Sequence, residues 1–177
     1  MRTIHAVLAI ATAAVALPAR AAVPFTPGEE LLFQVEALGM NAGKARVSVG
    51  TTADRDGTPA WPIVVWARTD NLFDAVYSVR DRFVTWWEPQ SGRVLGADLY
   101  ADEGGKKRRE RSTLDHALGR AEVRREKGNE RSTASYRVPS GVFDVAGAIM
   151  ALRGRDLAVG QVVELPVFTG KKVFNLR

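Results

Sequence analysis

Cysteine is absent from all 177 residues, so the fold has no disulfide, and the chain offers neither a thiolate nucleophile nor a thiolate metal ligand. Stability must come from packing. Histidine is almost as scarce, with His5 and His116 alone, which excludes a metal site built from several imidazoles. The chain also lacks a Gly-x-Ser-x-Gly nucleophile elbow, a phosphate-cradling glycine loop and any run of ligands at metal spacing. We therefore expect no catalytic residues, no metal and no cofactor.

What is present starts with an address. Arg2 supplies a positive charge, Ile4 to Leu17 is almost unbroken apolar sequence, and Ala19-Arg20-Ala21 has the small-x-small pattern of a cleavage site. Residues 1–21 read as a removable export signal, and Ala22 as the first residue of the mature chain. The apolar run is shorter than the roughly 20 residues needed to cross a bilayer. No cysteine follows the cleavage site to accept a lipid anchor. We expect a periplasmic or secreted protein whose mature chain has no transmembrane segment. Without Arg2 and Arg20, the 25 Lys and Arg residues fall to 23 against 20 Asp and Glu. Such mild basicity, in an exported protein, points away from nucleic acid.

Residues 22–177 read as a single β-rich domain, long enough to bury about 70% of the surface of its unfolded chain. Period-2 alternation dominates. Leu31, Phe33, Val35 and Ala37 face one way, Ala45, Val47 and Val49 continue the pattern, and Gly39-Met40-Asn41-Ala42-Gly43 between them predicts a hairpin. Residues 54–59 read as a turn, and Trp61 to Arg68 as a strand whose Pro62 belongs at an edge or bulge. A short helical turn is predicted over Asn71 to Tyr77. Strands follow over 79–88, 93–100, 107–115, 120–127 and 130–138, with Gly128-Asn129 a tight hairpin signal.

The rhythm breaks at Val142 to Arg153, where Val142, Val145, Ile149 and Leu152 recur at helical spacing. Ser140 is the expected N-cap, Gly154 the stop, and the scarcity of charge predicts burial on most sides. Residues 162–168 and 172–176 return to strands. The final strand predicts unpaired edge groups, and the domain reads as incomplete at its C-terminus.

Two clusters invite a binding role. Trp61, Trp66 and Trp86, with Phe83, would line the concave side of a curved sheet, and Ile149 and Met150 would face them from the helix. Trp86 and its neighbour Trp87 must point to opposite faces. Lys106, Lys107, Arg108 and Arg109 would bind anions such as lipid headgroups. Their bland alternative is a solvated ribbon, because Glu110, Asp115, Glu122, Glu126 and Glu130 are interleaved for cross-strand ion pairs. Asp70, Asp74 and Asp81 lie near Arg68, Arg80 and Arg82, as in surface ion pairs. His116 sits in a turn with only Ser112 and Asp115 nearby, a poor frame for a general base.

Three patterns together resemble the bacterial family called domain of unknown function 3108. They are Pro24 to Glu29 followed by Gly39-Met40-Asn41-Ala42-Gly43-Lys44-Ala45, then Asp144 leading to Leu152-Arg153, and last Gly160-Gln161 before Val162 to Phe168 and Lys172. The resemblance implies an exported β-rich envelope protein with further strands beyond Leu176, and it carries over no catalytic residues. The expected architecture is all-β with one short helix: a curved antiparallel meander forming a half-barrel or open barrel, the helix on its concave side. Its expected function is non-catalytic binding of a lipid or other amphipathic ligand. The alternative is a scaffold recruiting an envelope protein partner through an exposed strand edge.

Overall fold

The computed structural model describes residues 23–177, and the expected export signal lies outside them. Alternating residues from Glu30 onward produce strand after strand. β1 (Glu30–Ala37) and β2 (Met40–Val49) form the first hairpin around Leu38 and Gly39, both at positive φ. β3 (Ala53–Arg55) and β4 (Thr58–Thr69) follow. The stretch expected as a turn thus holds a short strand, with only Asp56 and Gly57 left to reverse the chain at positive φ. After α1 (Asn71–Val76) come β5 (Arg80–Glu88), β6 (Arg93–Glu103), β7 (Lys106–Asp115), β8 (Arg120–Lys127) and β9 (Glu130–Arg137). α2 (Val145–Leu152) and the hairpin of β10 (Leu165–Phe168) and β11 (Val173–Leu176) complete the described chain.

Nine strands make one antiparallel sheet in the order β1-β2-β4-β5-β6-β7-β8-β9, with β3 attached to β4. The sheet stays open. Among the described residues β1 is paired only to β2 and β9 only to β8, so the meander ends in two edges. β10 and β11 pair antiparallel with each other, which gives the strand ending at Leu176 a partner on one side. Pro62 lies where its neighbour changes: β2 stops pairing at Ile63, β3 begins at Ala60, and the Pro62 carbonyl accepts from the Gly50 amide at 2.8 Å. A residue without an N–H suits that gap.

The helix begins later than its apolar spacing suggests. Asp144, not Ser140, is its N-cap, accepting a hydrogen bond from the Gly147 amide at 2.7 Å. That bond satisfies a donor the first turn would otherwise leave orphaned. Val142 and Phe143 lie outside the helix, and Phe143 bridges to Val167 in parallel. Burial is also one-sided: Ala146, Gly147, Ala148 and Met150 are buried, while Val145 and Ile149 are exposed.

α2 packs on one face of the sheet, which we call inner, and registry sorts the inner side chains into rows across the strands. Val49, Ile63, Thr85, Ala97 and Val123 form a buried row. On one side of it lies the closed core, where Phe25 meets Trp87 edge to face at 5.2 Å and Trp87 stacks on Phe143 at 6.1 Å. On the other side, Val47, Val65, Phe83 and Leu99 form a half-buried row, and in the row beyond it Phe33 and Arg108 are exposed, Ala45, Ala67 and Asp81 half-buried and only Ala101 buried. Cover thus thins from the core end toward the end that carries α1. The turns β1–β2, β6–β7 and β8–β9 gather at that second end, tied by hydrogen bonds from the Asp70 amide to Ala42 and from the Gly104 amide to Ser78.

Candidate functional site

Between the half-buried row and α2 lies a cavity of about 590 Å³, inside the range of roughly 300–1,000 Å³ usual for small-molecule sites. Its floor is Val47, Val65, Phe83 and Leu99, with Leu31 and Phe33 of the edge strand at one side. α2 supplies Val145, Ala146, Ile149 and Met150, and Phe168 closes the far wall. Alternation in five adjacent strands points these apolar side chains inward together. Ion pairs stand at its margins. Arg153 reaches Glu29 at 2.5 Å, and Arg125 reaches Glu110 at 3.3 Å while also donating to the Gly170 carbonyl.

One buried carboxyl belongs to the cavity wall. Asp144 is 6% exposed, and its Oδ1 accepts from both the Gly147 amide and the Thr85 hydroxyl, the latter at 2.9 Å. Thr85 belongs to β5, so this carboxyl pins the start of α2 to the sheet. The pin is tight: a Cβ on Gly147 would stand 2.5 Å from Val94 Cγ2. Oδ2 is buried and makes no hydrogen bond. Burial pushes the Asp144 carboxyl up to about 6, against the opposing pull of the Gly147 amide, the Thr85 hydroxyl and the nearby Ala146 amide.

Of the residues expected to bind ligand, Phe83, Ile149 and Met150 meet in this cavity. The three tryptophans do not. Trp61 shares the inner face but packs into the closed core against Phe25, with ring centroids 6.2 Å apart. Trp66 lies on the outer face in a shallow groove with Leu32 and Arg46, whose guanidinium sits 5.9 Å from the Trp66 ring. Trp86 is outer too, as its pairing with Pro62 requires. Its indole N–H donates to Asp98 at 2.8 Å beneath the buried guanidinium of Arg55, which reaches the same carboxylate at 2.7 Å. Trp87 takes the inner face, so the pair does split. Registry, not composition, decided which aromatics line the cavity.

The basic run divides in the same way. Arg108 pairs with Ala101 and belongs with Lys106 to the inner face, whereas Lys107 and Arg109 are outer. Lys107 contacts Asp102 at 3.9 Å, Arg108 contacts Glu103 at 3.7 Å, and the Arg109 guanidinium lies 5.7 Å from the Tyr100 ring. The four side chains therefore do not converge on one face. Asp70 and Asp74 are in ion pairs with Arg68 at 3.5 Å and Arg80 at 2.9 Å, and Asp81 accepts from the Asp102 amide. From the β7–β8 turn, His116 uses Nε2 to hold the Val94 carbonyl of β6 at 2.7 Å. Among the described residues no three metal-ligating side chains converge. Nor is any described helix long and apolar enough to cross a membrane.

Asp144 escaped the sequence reading as a functional candidate. It opens one of the three family-like patterns, but an acidic residue at the start of an apolar helix marks a cap and says nothing about burial. No curated protein and no solved structure matches the chain. The profile of one family, described as a protein of unknown function (DUF3108), matches residues 32–177, a span that takes in the β1–β2 turn, the sheet, α2 and the last hairpin. The chain therefore belongs to the DUF3108 family of proteins of unknown function.

Proposed function

We propose that this protein is an exported cell-envelope protein that binds a hydrophobic or amphipathic ligand in the cavity between the sheet and α2, without chemistry. The observation that carries the reading is the cavity itself: about 590 Å³ walled by Leu31, Val65, Phe83, Leu99, Ile149 and Met150. A well-packed domain of this size fills such a space with its own side chains. Export is inferred from the pattern in residues 1–21.

Fluorescence of N-phenyl-1-naphthylamine, an apolar dye that brightens out of water, tests the reading. Wild type should bind it saturably and release it to competing long-chain amphiphiles. Ile149→Asp places a charge in the wall at a position already 54% exposed, so the fold should survive while dye affinity falls at least tenfold. No saturable binding by wild type, or equal binding by the folded variant, would sink the proposal.

The edge strand supports a second reading. Among the described residues β1 has one free edge; it exposes Leu32 and Phe33 and its charges are Glu30 and Glu36 near its two ends, with no Lys, Arg or Pro, whereas β9 at the opposite edge carries Arg131 and Arg137. An unguarded edge can take a strand from a partner protein. Gln34→Pro, which removes an N–H on the open side of β1, should then abolish co-purification of that partner while leaving dye binding intact.

A further inference from the structure

The cavity is least covered toward the α1 end of the sheet, and that end has an unusual surface. Leu38 at the β1–β2 turn is 91% exposed, Val76 is 79% exposed and Leu72 63% exposed, with Met40 and Tyr77 also exposed beside them. They belong together because the Asp70 amide before α1 donates to the Ala42 carbonyl of β2, and the Tyr77 ring lies against Gly104 of the β6–β7 turn. Turns usually carry polar tips. Here the tips of one hairpin and one helix are aliphatic, and no packing within the described chain requires them.

The same end carries the basic residues that the cavity does not use. Around the β6–β7 and β8–β9 turns stand Lys106, Lys107, Arg108, Arg109, Lys127 and Arg131, against Asp102, Glu103, Glu110, Glu126 and Glu130, with Lys107, Arg108 and Arg131 each in an ion pair. Cations outnumber carboxylates at the turns beside an exposed aliphatic strip. That combination matches the two forces that hold a protein on a lipid surface: shallow insertion of apolar side chains and attraction to anionic headgroups. A tyrosine such as Tyr77, apolar in body and polar at its tip, suits the boundary between them.

We propose that the α1 end of the sheet docks on an anionic lipid bilayer, with Leu38, Leu72 and Val76 inserted and the Lys106–Lys107 turn against the headgroups. Docking turns the least-covered side of the cavity toward the membrane, where an apolar ligand passes between the two without crossing water. This last step rests on the ligand-binding reading; the docking itself does not.

Vesicle flotation tests it, using the full protein with vesicles of pure phosphatidylcholine or of phosphatidylcholine mixed with phosphatidylglycerol. Wild type should float with the mixed vesicles, less so at high salt. Leu38→Glu with Val76→Glu should cut the bound fraction about tenfold, and Lys106→Glu with Lys107→Glu should remove the preference for anionic lipid. All four positions are exposed, so the variants should fold. Wild type that stays with neither vesicle, or an aliphatic variant that floats as wild type does, overturns the proposal. Equal flotation on both vesicles overturns its anionic part. Dye binding, measured on the same samples, separates the two readings. Flotation without dye binding leaves docking standing and removes the ligand, whereas dye binding without flotation does the reverse.

Discussion

Asp144→Asn should make the protein more stable at neutral pH, against the usual cost of altering a buried polar group. The wild-type carboxyl sits at about 6 in the fold against 3.8 for the unperturbed group, raised by burial, and each unit is worth about 1.4 kcal/mol. Because the folded value is the higher one, the folded chain holds the proton more tightly than the unfolded chain does. Stability from this group is therefore fully present below about pH 4 and lost as pH rises through about 6. By pH 7.5 the fold carries an ionised, buried carboxylate at a cost of about 3 kcal/mol. Asparagine is an equally good N-cap, and its carbonyl can keep the bonds from Gly147 and Thr85. Its NH₂ group replaces a carboxyl O–H that also lacks an acceptor, so that penalty cancels against the protonated acid. Urea unfolding at several pH values from 4 to 7.5 should show the two proteins close together in acid. They should diverge by about 3 kcal/mol at the alkaline end, or about 6–12 °C in Tm. Using the difference between variant and wild type removes carboxylates that titrate the other way, such as Asp74, held low by its bonds from Thr69 and Arg80. A difference that stays flat with pH, or a variant less stable than wild type at pH 7.5, would refute the reasoning.

Two further substitutions probe the cavity wall and the outer face. Gly147→Ala replaces the poorest ordinary helix former with the best, yet should destabilise by about 1–3 kcal/mol and weaken dye binding. The new Cβ would meet Val94 at 2.5 Å and push α2 off the sheet, and a gain in Tm would contradict that packing. Arg55→Ala should cost about 3 kcal/mol by thermal or urea unfolding, because it strips the cation from a half-buried Asp98 and from the face of Trp86. Dye binding should be unchanged, since that cluster lies on the opposite face from the cavity.

Much of the sheet was legible in the sequence because its signals are local. Gly39 and Gly128 sit at positive φ in the hairpins predicted around them, and the period-2 runs from Leu31 to Val49 and the short runs on either side of Gly128-Asn129 became paired strands. β3 was missed because three residues between a threonine pair and a turn carry no period. The start of α2 was misplaced because Val142 and Phe143 fit the helical spacing, while a bridge to Val167, distant in sequence, holds Phe143 extended. Placing aromatics in the cavity failed for a related reason. Alternation shows that Trp86 and Trp87 face opposite ways, but only registry against β4 tells which way each points. Trp61 and Trp66, an odd number of residues apart in one strand, already had to be on opposite faces. The burial of Asp144 depends on Thr85 and Val94, contributed by strands far upstream, and no window around the helix contains them.

The order of the main sheet has a consequence for how the molecule assembles. With β3 as the only detour, every strand from β1 to β9 lies beside its sequence neighbour, and apart from the β3 detour and the α1 connection between β4 and β5 each pairing closes a loop scarcely longer than its own turn. Short loops cost little chain entropy, and contacts of this kind form early and cheaply. The cavity is built on the opposite principle. Its floor comes from β1 to β8, while its cover comes from α2 and β10, so Asp144 must find Thr85 across 59 positions of chain. The space that we read as the working part of the protein is therefore enclosed by the least local contacts in the fold.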